Sequence, residues 1–159
     1  MNSLYRKNVG IVVVNNQGKV LMCARADQAN LNWQFPQGGL EKEETAETAA
    51  LRELYEETGI TSVKLLDKMP DSVRYEFPKN NKNFTFAPYI GQEQQWVFLK
   101  FTGLDSEINL CINPLAVEFK AFEWVDMTEA PKRIIAFKKH VYQKVSDYFE
   151  FCVKEKING

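Results

Sequence analysis

The chain has 159 residues, of which 45% are hydrophobic and 26% charged, and its formal net charge is −1. This is the profile of a globular protein with one core, read as a single domain over residues 1–159. It excludes capture of nucleic acid by a bulk basic field, and apolar runs such as residues 9–14 are too short to span a bilayer, so no membrane partner is expected.

In chain order, the start "MNSLYRKNVG" lacks the long apolar stretch of a signal peptide. "NVGIVVVNNQGKVLMCAR" predicts a hairpin, because two β-rich runs flank a segment where Asn15, Asn16 and Gly18 tolerate positive φ. "WQFPQGG" predicts a short strand that breaks at Pro36 into a glycine loop. A helix is predicted from Thr45 to Thr58, rich in Ala, Glu, Leu and Arg and stopped by Gly59. "SVKLLDKMPDSVRYEFP" predicts strand with a break near Pro70, "NNKNFTFAPYIG" a loop, and "QQWVFLKFTG" and "KAFEWVDM" two more strands. From Ala130 the tail is predicted helical, with an apolar stripe of Ile134, Ile135, Phe137, Val141, Val145, Tyr148, Phe149 and Cys152. Strands around one central helix, closed by a terminal helix, predict an α/β fold with a mixed sheet between helices. Cys23, Cys111 and Cys152 are odd in number and widely spaced, which fits free thiols in a reducing cytoplasm rather than a zinc site or a disulfide framework.

The central helix carries the chemistry. At 100° per residue, Glu53, Glu56 and Glu57 fall within an arc of about 100°, and like charges three and four apart repel. Ala46, Ala49 and Ala50 lie on the same side and are read as leaving space beside the carboxylates. Leu51, Leu54, Tyr55 and Thr58 are expected to face the core. A glutamate row is ordinarily a solvated face. Here Gly38 and Gly39 precede it and let backbone approach a ligand. Arg52 stands beside Glu53, placed to orient a carboxylate through its planar fork. Converging oxygen ligands are what Mg²⁺ or Mn²⁺ requires, and such sites leave positions for water and substrate phosphates. No EF-hand loop is present, which sets aside a structural calcium protein.

Gly38, Glu44 and the run "RELYEETGI" at 52–60 match the Nudix box, G-x5-E-x7-R-E-U-x-E-E-x-G-U with U aliphatic, at every specified position. The chain thus resembles the Nudix hydrolases. The resemblance implies an α/β/α sandwich around a mixed β-sheet and metal-dependent cleavage of a nucleoside diphosphate linked to another group. Further segments, "YRKNVGIVV", "WQFPQGG", "IGQEQQWVFL", "INL", "EFKAFEWV" and "FKKHVY", resemble the bacterial RNA pyrophosphohydrolases and the related diadenosine polyphosphate hydrolases. Two departures from the subgroup are Lys7, where Pro or Arg is usual, and the longer segment "ADQANLN", with no second arginine directly after Arg25.

By this resemblance Gly38, Glu53, Glu56, Glu57 and Glu118 hold Mg²⁺, with Mn²⁺ as substitute and two or more ions. Glu57 or Glu118 serves as general base. Glu53 and Arg52 complete the catalytic set. Arg6 and Lys138 meet phosphates at the mouth of the site, Phe137 is a stacking platform for a base, and Gln37, Gln92 and Gln95 are polar contacts. His140 reads as a surface residue. The expected activity removes pyrophosphate from 5′-triphosphorylated RNA ends. The alternatives are hydrolysis of diadenosine tetraphosphate to ATP and AMP, and a catalytically silent nucleotide-binding module. A cytoplasmic monomer is expected, with a 5′-phosphorylated RNA end or a dinucleoside polyphosphate as partner.

Overall fold

The structure, a computed structural model, describes residues 4–27, 32–79 and 88–158. Its strands are β1 (Tyr5–Val14), β2 (Val20–Arg25), β3 (Trp33–Gln34), β4 (Gln37–Gly39), β5 (Val63–Lys68), β6 (Val73–Glu76), β7 (Gly91–Phe101) and β8 (Phe119–Val125). The helices are α1 (Ala46–Thr58), α2 (Ala130–Arg133) and α3 (Lys139–Tyr148). One sheet runs β3-β2-β1-β7-β5, with β4 also on β1, β6 on β7 and β8 on β2. The β1–β7 pair is parallel, from Tyr5 opposite Gly91 to Val14 opposite Lys100. The other pairs are antiparallel, so the sheet is mixed as predicted.

Alternation along β1 and β7 divides the core. Val9, Ile11, Val13, Val97 and Leu99 pack with Ala46, Ala49, Ala50 and Leu54 of α1. Val12, Val14, Trp96 and Phe98 pack with Val141, Val145 and Phe149 of the tail. The sheet is thereby sandwiched between helices. The predicted hairpin closes on Asn15, whose Oδ1 accepts the backbone N–H of Gln17 and Lys19, both at 3.0 Å. Gly18 supplies the positive φ. Thr45 caps α1 by accepting the Thr48 N–H at 3.1 Å, and Gly59 closes it in the left-handed region.

Three expectations change. The glycine loop after Pro36 is strand β4, whose backbone pairs with Asn8, Val9 and Gly10 of β1. The buried face of α1 is the alanine side, with Leu54, Glu57 and Thr58, while Leu51 is 50% exposed and Tyr55 is also exposed. Three alanines let the helix axis lie close to the sheet, and that approach draws Glu57 into the interior. The terminal helix is interrupted. Residues 134 and 135 are extended, and the chain then turns into α3 and a wider turn over Phe149–Val153. The apolar stripe survives the break: Ile134, Val141, Val145 and Phe149 are buried, and Ile135, Phe137, Tyr148 and Cys152 pack against the same core. Most of the predicted "NNKNFTFAPYIG" loop and the middle of "ADQANLN" lie outside the described residues.

Candidate active site

A cleft of about 430 Å³ opens at the end of the sheet where β1, β4 and β7 meet the C-terminal half of α1. Glu53, Glu56, Glu57, Glu118 and Gly38 line one side. Arg6, Arg25 and Lys138 line it as well, with Tyr75, Phe77, Gln37 and Gln92. Carboxylates and cations from distant parts of the chain therefore face a single space.

Arg52 organises the acidic side. Its Nε and Nη2 donate to the two oxygens of Glu44, both at 2.9 Å, so the planar fork is seated on Glu44. Nη1 donates to Glu53 Oε1 at 2.8 Å and Nη2 to the Gly39 carbonyl at 3.0 Å. One guanidinium thus ties α1 to β4 and aims Glu53. The sequence reading gave Arg52 to its neighbour Glu53; the bidentate partner is Glu44, a motif residue to which it assigned no role. The Arg52 bonds hold the Glu44 carboxyl down to about 2.

Glu57 is 7% exposed. Burial pushes its carboxyl well up, repulsion from Glu53 and Glu118 adds to this, and the Gln37 backbone N–H opposes it. Its Oε2 is buried with no hydrogen-bond partner, an arrangement that costs free energy unless a further group satisfies it. Gly38 presses against Glu53 so closely that a Cβ there would collide with the Glu53 carboxylate. The donors are hard oxygens: carboxylates and the carbonyl of a residue with no side chain. These observations fit a divalent cation. Among the described residues, no three acidic, cysteine or histidine side chains already converge into a metal cage. Arg52 holds Glu53 and lies 3.6 Å from Glu56.

On the other side Lys138 is 6% exposed. Its Nζ lies 5.1 Å from the centre of the Tyr75 ring. Burial, together with the charge of Arg25, lowers its ammonium to about 8. Arg25 donates to both oxygens of Asp27, at 2.9 and 2.6 Å. Tyr75 OH accepts from Gln92 Nε2 at 2.8 Å, and Gln92 Oε1 accepts from Arg6 at 3.4 Å. Gln94 Nε2 donates to Asn8 Oδ1 and to Gln37 Oε1, each at 2.8 Å.

Most residues singled out from the sequence meet in this cleft. Phe137 does not line it. Its ring is partly buried behind the wall, 5.8 Å from Tyr75 and tilted by 48°. Gln95 is also absent from the lining. It falls in phase with Val97 and Leu99, which face α1, whereas Gln92 and Gln94 share the phase of Trp96. His140 is exposed, as expected, and lies 3.3 Å from the Arg74 carbonyl. Asn8, Tyr75 and Gln94 were not found from sequence. The period-two pattern along β7 carried a signal for Gln94, because a polar residue in phase with a buried Trp must meet a partner.

Such a carboxylate row opposite cations, on a mixed sheet between helices, suits metal-assisted chemistry on a phosphate chain. The family model for the NUDIX domain matches residues 4–145, and the chain belongs to the Nudix family; with the relatives that follow, this makes it a hydrolase acting on pyrophosphate bonds. Family members generally require divalent metal ions such as Mg²⁺. The RNA pyrophosphohydrolase of Bartonella tribocorum is 44% identical over 157 residues, covering 91% of this chain and 90% of that protein. That of Pelagibacter ubique is 40% identical, covering 99% and 97%. The dihydroneopterin triphosphate pyrophosphohydrolase of E. coli shares the fold, with a TM-score of 0.70 at 22% identity over 99% of this chain and 100% of that one. The Ap4A hydrolase of C. elegans does so with a TM-score of 0.61 at 17% identity, covering 90% and 98%. Among the described residues no helix is long and apolar enough to cross a membrane.

Proposed function

We propose that this protein removes pyrophosphate from 5′-triphosphorylated RNA ends and leaves a 5′-monophosphate. The observation that carries the reading is the cleft itself, where four glutamates face Arg6, Arg25 and Lys138. Identity of 40–44% to RNA pyrophosphohydrolases along nearly the whole chain supports the choice of RNA. In this reading one domain spans residues 1–159 and acts as a cytoplasmic monomer.

Glu53, Glu56, Glu57, Glu118 and the Gly38 carbonyl would hold two or more Mg²⁺ ions, which supply charge neutralisation at the phosphates and acidify the attacking water. Glu57 or Glu118 accepts a proton from that water. Arg6, Lys138 and Gln37 hold the phosphate chain in line and receive the charge that develops on the departing pyrophosphate. Phe137 contributes from behind Tyr75 rather than from the cleft surface.

The test is a parallel assay of 5′-triphosphorylated RNA, diadenosine tetraphosphate and mononucleoside triphosphates at equal concentration, with Mg²⁺ and with Mn²⁺. Preference for the RNA end is expected. Brisk cleavage of the dinucleotide with none of RNA would move the assignment to a diadenosine tetraphosphate hydrolase, the reading that the absent arginine after Arg25 favours. No Mg²⁺-dependent, EDTA-sensitive phosphate release from any substrate would make the chain a silent binding module.

Two further results are expected. Among the described residues three cations, Arg6, Arg25 and Lys138, line the cleft, so recognition is expected to stop within the first nucleotides. Lengthening the RNA from about four to about twenty nucleotides should therefore leave the apparent affinity nearly unchanged, and at fixed Mg²⁺ the affinity should fall only mildly with monovalent salt, with a slope of roughly −0.7 per phosphate contact. A large gain with length would mean an extended basic groove. The second concerns pH. Lys138, lowered to about 8, is cationic below that value and neutral above it. The KM for the triphosphate substrate should climb as pH passes about 8, and Lys138→Met should raise KM at pH 7 and flatten the climb. An unchanged profile in the variant would remove Lys138 from phosphate binding.

A further inference from the structure

Beneath the cleft floor lies a polar group that the reaction leaves unexplained. Gln94 is 1% exposed and does not line the cleft. Burying an amide beside Trp96 and Phe98 is costly unless its polar atoms are used. Its Nε2 carries two hydrogens, and both are used: one on Asn8 Oδ1 and one on Gln37 Oε1, each at 2.8 Å. Asn8, itself 1% exposed, and Gln37 do line the cleft. A side-chain amide has one acceptor end and one donor end. With both carbonyl ends turned down to Gln94, both NH₂ ends remain for the cleft.

We infer that Gln94 is a positioning residue for specificity: it fixes the orientation of the Asn8 and Gln37 amides so that the cleft floor offers N–H donors to a phosphate chain. Phosphate oxygens only accept, so a floor of inverted amides would present carbonyl oxygens to them. The sheet holds this arrangement in register. Asn8 stands opposite Gln94 in the parallel β1–β7 pair, and Gln37 stands opposite Gly10 in the β1–β4 pair. Neutral donors also suit this place. A cation in it would sit close to the glutamates and compete with metal for them.

The inference rests on the reading that the cleft takes a phosphate chain, and two substitutions separate the two. Gln94→Met keeps the length and volume of the side chain and removes its donors, freeing both amides to turn. Gln94→Glu accepts where glutamine donates and so drives both amides to present their carbonyl ends. The probe is a short 5′-triphosphorylated RNA with a methylene bridge in place of the scissile oxygen, titrated in Mg²⁺ by calorimetry. Mn²⁺ binding without nucleotide and thermal unfolding are measured alongside. The expected result is about a tenfold loss of analogue affinity in Gln94→Met and a larger loss in Gln94→Glu, since hydrogen bonds to charged groups are the stronger class. With hydrolysable substrate the loss in Gln94→Met should appear in KM, with kcat within about threefold, because the contacts serve bound substrate and transition state alike. Mn²⁺ affinity of Gln94→Met should stay within about twofold of wild type on the same argument. Analogue affinity unchanged in both variants would overturn the inference. So would losses that follow the drop in melting temperature instead of the order Met then Glu, or weakened Mn²⁺ binding in Gln94→Met, which would place the effect on Glu57. A wild-type protein that fails to bind the analogue would instead overturn the phosphate reading of the cleft, and the inference with it.

Discussion

Replacing Glu57 with Gln is expected to lower kcat/KM at least about a hundredfold, the scale of losing a metal ligand or a general base. Glutamine keeps the shape of the side chain and an oxygen for the Gln37 N–H, but it cannot carry charge. Stability should move the other way. Burial and the neighbouring Glu53 and Glu118 raise the Glu57 carboxyl above its ordinary value of 4.5. A raised carboxyl carries no penalty below the ordinary value, where it is protonated folded or unfolded. The penalty grows as pH rises and is complete above the raised folded value. In EDTA the wild type should therefore lose stability across that window, and Glu57→Gln should lose less. Chemical unfolding at pH 5 and pH 8 reads the difference. Near wild-type turnover in the variant would sink the assignment of the acidic wall.

Arg52→Lys is expected to impair activity almost as much as Arg52→Ala, by about ten- to a hundredfold, the usual effect of removing a group that orients metal ligands. A lysine ammonium cannot span Glu44, Glu53 and the Gly39 carbonyl together, because it lacks the planar fork. Both variants should need more Mg²⁺ for half-maximal rate, since Glu53 loses the contact that aims it. A lysine variant with most of its activity would reduce Arg52 to a generic cation.

The metal side of this site was legible in sequence because it is local. Gly38, Glu53, Glu56 and Glu57 lie on one strand and one helix, and helical periodicity places three of them without tertiary information. The same periodicity misjudged which face of α1 is buried. Leu51 and Tyr55 looked like core by hydrophobicity, yet the alanine side packs on the sheet, because closeness of backbone approach decides the face as well as apolar area. The phosphate side was only half legible. Arg6 and Lys138 were singled out by resemblance. The break at residues 134 and 135 that brings Lys138 to the cleft has no Gly or Pro to announce it. Alternation from Trp96 points to Gln94 and not to Gln95, and Phe137 packs behind Tyr75 instead of lining the site.

The parallel pairing of β1 with β7 also sets an order of assembly. Asn8 and Gln94 are 86 positions apart in the chain. The β1–β2 hairpin closes on itself, on a microsecond scale for such elements. Residues 38–57 bring all of the acidic wall except Glu118 soon afterwards in synthesis. The floor and the cationic wall must wait for Gln92, Gln94 and Lys138. At about 5–20 residues per second, the growing chain spends several seconds or more with one edge of β1 unpaired. That edge runs beside an apolar stretch, and an open apolar edge is a template for wrong pairing. The long closure also makes β1–β7 docking a non-local step that costs loop-closure entropy before its contacts form. A chain halted near residue 90 would carry Glu53, Glu56 and Glu57 on α1 without Glu118, and would lack the strand on which the phosphate side is built.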